Sequence, residues 1–507
     1  MNAFKSDYDV VIVGGGAAGL AAYASAVSAG LTAVLLEKES LLGGTTMYAI
    51  GSVTASNTFL QEKKGIRDSA DDFFEDLVAA SRIRGVESVC EKDFLRLYAE
   101  ESGKTVNRLR DMGTVFVGPS PEAPHRVPRM HNVVPSAYSY IYRLERYASG
   151  HGGRVVRSFR VSELIREDDG SIRGVIGNGS SGESVKFVAN KGVVVATGPF
   201  SSNRDLIKEL TPVSAEIEAV NPRATGDGIT MGRRVGAMIK NANVESTQFR
   251  FGGGTTGKIG RLAVWWLWPR LFGWMIDNAP DRIIKGLIVK LSTAYTAPSN
   301  RIFEAGGILV NSDGNRFVNE LSVPYPYAIA RKAVTLYKKE LYILFDSQAA
   351  AQLVKWPNYI STFPGISYAY LEDYLNFRKD VINRAGTIDV LAQKTGMDPK
   401  SLNATVNRYN GFASDHNDRD FARKELRSIH DAPFYLLGPI KPVITVTEGG
   451  IAINAKCQAI DVKGKVIPKL YVIGDGSAGP LNVSHGMHIG WALTSGRLSV
   501  EAMLEES

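Results

Sequence analysis

The run Tyr8-Asp-Val-Val-Ile-Val13, followed at once by Gly14-Gly-Gly16-Ala-Ala-Gly19, narrows the folds open to this chain more than any other stretch. An apolar strand that ends in glycines and opens a small-residue helix is the start of a doubly wound α/β sheet. Gly14 makes the tight bend, Gly16 leaves backbone N–H groups open to a pyrophosphate, and Gly19 lets helix and sheet approach closely. The helix N-terminus favours phosphate charge. A second apolar run, residues 31–36, ends in Glu37, an acid placed to accept hydrogen bonds from a ribose. Strand, turn, helix and acid stand in register, and together they predict a bound adenine dinucleotide.

The remaining bulk properties bound the partners. The 507 residues are enough for two or three domains, and 44% hydrophobic with 22% charged residues is ordinary for a globular protein. Net charge is +7, yet no Lys/Arg run is long enough for nucleic acid, so an anionic cofactor, an anionic substrate or an acidic membrane surface accounts for it better. The two cysteines, Cys90 and Cys457, exclude a disulfide scaffold, Cys-ligated iron–sulfur clusters and a C-x-x-C-H haem attachment. No metal site is expected. A cleaved signal peptide would remove the fingerprint itself, so cytoplasmic is the expected location.

Two later segments repeat the theme of a strand ending in a glycine turn. They are Lys191-Gly-Val-Val-Val-Ala196-Thr197-Gly198 and Pro468-Lys-Leu-Tyr-Val-Ile473-Gly474-Asp475-Gly476, the second followed by a helical pattern over 489–504. Both put backbone at the carboxyl edge of a sheet, where α/β proteins bind ligands. With Gly43-Gly44-Thr45-Thr46, Thr225-Gly226-Asp227-Gly228, the block from Gly307 to Glu320, Thr447-Glu448-Gly449-Gly450 and the block from Gly490 to Arg497, the chain resembles the FAD-dependent fumarate reductase and 3-ketosteroid dehydrogenase superfamily over nearly its whole length. The resemblance implies FAD as cofactor. It also implies that Gly14, Gly16, Ala18 and Gly19 serve the pyrophosphate turn, and that Glu37 and Lys38 serve the adenosine. Gly44, Thr45, Thr46 and Gly51 should line phosphates and flavin, with Thr197, Gly198, Gly474 and Ile489 around them. Asp227 and Asp475 should reach the ribityl and isoalloxazine side, and Val161 should meet adenine through its backbone.

The expected architecture is an α/β Rossmann-like FAD-binding domain with an inserted β-meander, built from 1–245 and 432–507. An α+β capping domain over 246–431 completes it. The meander should span residues 154–190 around Asp169-Gly170, and Asp313-Gly314 marks a second hairpin. Asp68-Ser69 should cap a helix to about Ser81, residues 93–112 form another, and residues 385–430 read as helical. Gly252-Gly-Gly254-Thr-Thr-Gly257 fits the dinucleotide pattern in letters only; no flanking strand pair supports it, and a loop is expected. No separate NAD(P)H domain is visible, so the electron donor or acceptor is a separate molecule. Four of the six tryptophans fall within 263–291. Neither apolar run there reaches the roughly 20 residues of a spanning helix. Buried cap helices, a lid over the substrate and peripheral membrane contact all remain open for it.

The resemblance implies addition or removal of two hydrogens across a C–C bond beside a carbonyl or carboxylate. That chemistry needs a proton-transfer group and an oxygen-binding group. The arginines and histidines with which fumarate reductases clamp a dicarboxylate are absent at the matching positions. Val323-Pro324-Tyr325, Val446, Asn482-Val483 and Gln248-Phe249-Arg250 stand there instead. Pro324-Tyr325 resembles the Pro-Tyr of ketosteroid dehydrogenases, although it lies one residue further from Glu320, and it makes Tyr325 the proton-transfer candidate. Arg250 is the oxygen anchor or helper. Tyr138, Tyr140, His131 and His485 are further candidates, and Glu448 could be a base or a solvated turn residue. The expected function is an ene-reductase or dehydrogenase acting on an apolar, steroid-like or ring ketone. The alternatives are a small-acid reductase using Arg250 with Arg126 or Arg129, and a flavin-carrying electron-transfer subunit.

Overall fold

The structure, a computed structural model, describes residues 7–180, 182–212, 215–251, 271, 273–275, 296–322 and 340–506. At its centre the strand Asp7–Val13 runs parallel to Ala33–Leu36 on one side and Ser184–Val195 on the other. Arg154–Val156 extends the sheet beyond the first neighbour, and Val466–Val472 lies parallel beyond the second. Strands buried on both faces read as unbroken apolar runs. Accordingly Val10, Val11, Ile12, Val34, Leu35, Val193 and Val194 are all fully buried. The helices Ala17–Ser28 and Met487–Glu505 pack against each other. Gly496 makes that approach, since a Cβ there would sit 2.5 Å from the Ala18 carbonyl oxygen.

The expected meander is present, but it is continuous with the cofactor sheet. Arg160–Arg166 pairs antiparallel with Ile172–Asn178, and that strand pairs with the first half of Ser184–Val195. One twelve-residue strand therefore serves both the hairpin and the parallel sheet. Helices expected near 69–81 and 93–112 run Ala70–Ile83 and Lys92–Asp111; Ser69 caps the first by accepting the Asp72 N–H. Residues 385–430 are helical only in part, at Ile388–Thr395 and Pro399–Ser414. The turns that follow are held by charge instead. Arg316 bridges Glu320 and Asp418, each at 2.8 Å, and Arg423 meets Glu320 at 3.0 Å with all four side chains buried.

A second sheet is organised on the fourteen-residue strand Phe434–Thr447. Glu218–Ala219, Glu245–Phe251, Leu341–Phe345 and Ile382–Ala385 all pair with it, and Ile308–Asn311 extends the sheet beyond Leu341–Phe345. Ile308–Asn311 thus pairs with a strand thirty residues on, and only the bridge Val310–Arg316 remains of a hairpin at Asp313-Gly314. The expected change of domain near residue 432 falls just before a strand that pairs within this second sheet. The pattern at 252–257 lies outside the described residues, as does the 263–291 segment apart from Leu271 and residues 273–275. Among the described residues no helix is long and apolar enough to cross a membrane.

Candidate active site

The first glycine turn closes over a cleft of about 190 Å³ lined by Gly14, Gly16, Glu37, Thr45, Thr197 and Gly474, among others. Gly14 has φ +109°, and a Cβ on it would lie 2.4 Å from the Ala196 carbonyl oxygen, so two strand ends meet at this residue. Gly19 is equally constrained, its Cβ falling 1.9 Å from Gly14 O. Gly16 is different: the nearest protein atom to a Cβ there is Gly43 O at 4.0 Å. Chain packing does not demand that glycine, and the space it leaves opens into the cleft. Glu37 accepts the Gly15 N–H at 2.7 Å and the Glu39 N–H at 2.9 Å. Burial raises its carboxyl above the usual range, an effect these two donors only partly offset.

A second cavity of about 570 Å³ adjoins the cleft, and Thr45, Thr46, Tyr48, Asp475 and Ala492 belong to the walls of both. Arg250 reaches it from the strand Glu245–Phe251. Burial pushes its guanidinium down to about 10, so it remains a cation at neutral pH. Its Nη2 lies 3.4 Å from Thr445 Oγ1. His485 also lines the cavity; burial, then Arg84 and Arg250, push its imidazole down to about 4, which leaves it neutral. Trp356 and Tyr359 form an aromatic wall, their rings 6.1 Å apart and within 5° of parallel.

A family model for the FAD binding domain matches residues 9–253 and 295–488. The chain belongs to the FAD binding domain family. It is 26% identical to a fumarate reductase (cytochrome) of Shewanella frigidimarina over 97% of this chain and 76% of that protein. Among solved structures, an open-conformation flavocytochrome c3 fumarate reductase aligns with a TM-score of 0.76 at 23% identity, over 99% of this chain and 78% of that one. A 3-ketosteroid-Δ4-(5α)-dehydrogenase of Rhodococcus jostii RHA1, in complex with 4-androstene-3,17-dione, aligns with a TM-score of 0.64 at 22% identity, over 99% and 98%. The chain is a FAD-dependent oxidoreductase of this superfamily.

The residues present fit FAD. The helix Ala17–Ser28 starts at Gly16 without a side-chain cap from that residue; the Ala17 N–H goes to Thr46 Oγ1 at 3.2 Å, and the N–H groups of the turn beyond it face the end of the helix where an anion is favoured. Space at Gly16 and at Gly198, where a Cβ would meet nothing within 4 Å, belongs to the same cleft. Gly14, Gly16, Ala18, Gly44, Thr45 and Thr46 would hold the phosphates and Glu37 and Lys38 the adenosine; all of these, with Thr197, Gly198, Gly474 and Asp475, line the cleft. Gly51 and Ile489 line the larger cavity instead. Two expected contacts are not made from the cleft wall. Val161 pairs with Gly177 inside the hairpin and lines neither cavity. Asp227 lines neither cavity; its carboxylate is held by Lys38, itself a cleft residue, at 2.9 Å and by Arg160 at 2.7 Å.

The catalytic expectations divide more sharply. Arg250 and His485 line the larger cavity; Tyr138, Tyr140, His131 and Glu448 line neither. Tyr140 donates to Gly51 O at 2.9 Å, and burial raises its hydroxyl well out of a useful titration range. His131 Nε2 meets Thr58 Oγ1 at 2.7 Å in a buried sheet. Tyr138 opens the helix Tyr138–Gly150 and packs on the main core. Glu448 accepts the Asn482 N–H at 2.8 Å and lies 3.4 Å from His488 Nε2. Arg126 and Arg129 are committed elsewhere. Arg129 is fully buried between Asp68 at 2.6 Å and Asp76 at 2.5 Å, and Arg126 binds Asp72, Glu75 and Asp76. Neither can join Arg250 in a carboxylate clamp. Tyr325 lies outside the described residues.

Several site residues escaped the sequence reading: Arg84, Glu122 and His488 in the larger cavity, Asn221 and Arg223 in the cleft. His488 had a signal, since it follows His485 by three residues at the start of a helix. Its Nδ1 lies 3.0 Å from Asp475. Burial alone would lower His488, but Glu448 and Asp475 override it and hold the imidazole up at about 10, as a cation. Glu122 sits in Ser-Pro-Glu-Ala-Pro, where no periodicity or motif marks it.

Proposed function

We propose that the chain adds or removes two hydrogens across a C–C bond next to a carbonyl, on a ring substrate bound in the larger cavity. The observation that carries this reading is the wall shared by that cavity and the cofactor cleft, with Arg250 as a buried cation in the first. Arg250 binds the carbonyl oxygen and stabilises the negative charge that grows on it as the neighbouring carbon loses a proton. Because the Arg250 guanidinium is buried, that stabilisation is stronger than it would be in solvent. Ile83, Phe249, Trp356 and Tyr359 provide apolar surface for the body of the substrate. Val446 and Asn482, two of the positions where a dicarboxylate clamp is missing, line the same cavity. Bound FAD supplies acceptance or donation of the hydride at the second carbon. A separate electron donor or acceptor completes the cycle.

A small-acid reductase is the second reading, favoured by Arg84 on the wall that Arg250 shares, although Arg84 Nη1 already donates to Asn482 O at 2.7 Å. Anaerobic spectral titration of the FAD-loaded protein separates the two. Photoreduced protein is mixed with a 3-keto-4-ene steroid or with fumarate, and oxidised protein with a saturated 3-ketosteroid. Reoxidation by the enone, or bleaching by the saturated ketone, is the expected outcome. Reoxidation by fumarate alone would replace the ring ketone with a small acid. No response to any of them would leave electron transfer within a complex as the function.

A further inference from the structure

The reaction proposed above needs a group that exchanges a proton with the substrate carbon; in the cavity wall Asp475 is paired with His488 at 3.0 Å and Glu304 with Arg301 at 2.6 Å, which leaves the buried carboxylates of Glu448 and Glu122 to compare. Glu448 is held as an anion: burial alone would raise it, but His488 and the Asn482 N–H bring it below the usual range. It is outside the cavity wall. Glu122 is in the wall. It lies on the connection between the strands Phe116–Ser120 and Met130–Val133, and its side chain is 16% exposed.

The hydrogen bonds behind Glu122 run in one direction. Arg129 Nη1 lies 3.2 Å from His125 Nδ1, and a guanidinium can only donate, so Nδ1 is the acceptor. The proton of the neutral imidazole therefore sits on Nε2, which is 2.6 Å from Ser484 Oγ. Ser484, having accepted from His125, turns its own hydrogen to Glu122 Oε2 at 3.3 Å. The His485 N–H donates to Glu122 Oε1 at 3.0 Å. Arg129 is itself anchored by Asp68 and Asp76, so the orientation of every donor in the series is set from its far end. A carboxylate receives these donors while its face remains in the substrate cavity.

We propose that Glu122 is the group that takes and returns the proton at the substrate carbon beside the carbonyl, an assignment that rests on the two-hydrogen reading. In the dehydrogenating direction the C–H bond breaks and an O–H bond forms on Glu122. The electron pair moves into an enolate whose oxygen faces Arg250, and the hydride at the neighbouring carbon is the share taken up by FAD. In the reducing direction the same proton returns to carbon. The charge balance around Glu122 suits both directions. Burial raises its carboxyl, the His485 N–H, Arg84 and Ser484 pull it partly back, and it is left at about 7. The other titratable groups that face it are His125, His485, Tyr98, Tyr359 and Tyr368. Both imidazoles are pushed down to about 4 and the three phenols are raised, so Glu122 is the group of this set that changes charge near neutrality.

The test uses the FAD-loaded protein and a saturated 3-ketosteroid in deuterated buffer. With FAD fully reduced no hydride can be accepted, so deuterium entering beside the carbonyl, followed by NMR, reports the proton step alone. Bleaching of oxidised FAD by the same ketone reports the whole reaction. The wild type should do both, with rates that rise through about pH 7 because the base must be ionised. Glu122→Gln should slow both by about 100-fold or more with FAD content unchanged, and Glu122→Asp should recover part of the loss. Ser484→Ala removes a donor to the anion, so its rate should rise at a higher pH than in the wild type; this variant leaves the carboxylate in place if Glu122→Gln fails to fold. Wild-type rates retained in Glu122→Gln, or an unshifted profile in Ser484→Ala, would overturn the assignment. So would losses confined to Tyr325→Phe. A wild type that neither exchanges nor bleaches would overturn the two-hydrogen reading on this ketone, and the Glu122 assignment would fall with it.

Discussion

The cofactor cleft and the substrate cavity share a wall, yet they are built in opposite ways. The cleft is lined by a run of glycines. Gly14, Gly16, Gly19 and Gly44 lie within one βαβ unit and its extension, and what matters at each is the absence of a side chain. In the cavity the polar and aromatic lining consists of side chains delivered by distant segments: Arg84 from a helix end, Glu122 from a strand connection, Arg250 from the second sheet, Trp356 and Tyr359 from the stretch after the helix Ser347–Gln352, His485 from the approach to the last helix. Backbone recognition is fixed by local sequence and survives wide divergence. Side-chain recognition is fixed by packing among remote elements, so each position can change its chemistry independently. Hence the cleft is lined by glycines near in sequence, while Gln248, Val446 and Asn482 reach the cavity from separate elements.

This contrast breaks first at Arg129, a cation that looks like a substrate ligand in sequence and is packing in the structure. Arg129→Met should destabilise the fold by about 3–5 kcal/mol, because Asp68 would be left as a buried carboxylate without its cation and Asp76 would keep only Arg126. Chemical denaturation of the variant measures it. A mild stability change with selective loss of substrate binding would return Arg129 to the cavity. Gly16→Val sharpens the other side of the comparison. The side chain enters open cleft rather than protein, so the apo fold should hold while FAD affinity falls about 100-fold, or about 2.7 kcal/mol. Equilibrium dialysis against FAD, with melting of the apo form alongside, checks both halves.

What could be read in advance follows the same division. The parallel core strands, the glycine turn, Glu37 and the cap at Ser69 rest on short-range rules, and each is where the pattern put it. The turn at Asp313-Gly314 reverses the chain but closes on the single bridge Val310–Arg316, while Ile308–Asn311 builds its ladder with Leu341–Phe345, a tertiary choice that turn residues do not encode. The pairing of Asp227 with Lys38 and Arg160, far away in sequence, was likewise not legible in its own segment. Glu122 and Arg84 carry no local signature, and only the fold brings them to one cavity. Tyr140, one of the further candidates in the sequence, supports the cavity from behind by donating to the Gly51 carbonyl. The smallest effect expected here is therefore Tyr140→Phe, costing about 1 kcal/mol of stability; thermal melting with and without FAD should show the loss in both forms.

The central claim is that the cavity around Arg250 is the reacting site beside FAD. Its most direct measurement is the equilibrium perturbation of the oxidised flavin spectrum by 4-androstene-3,17-dione, compared between the wild type and Arg250→Met at matched FAD content. A saturable perturbation in the wild type, weakened about tenfold or more in the variant, or about 1.4 kcal/mol, is the result this account predicts. A perturbation of equal strength and affinity in both proteins would place the ring ketone away from Arg250 and contradict it.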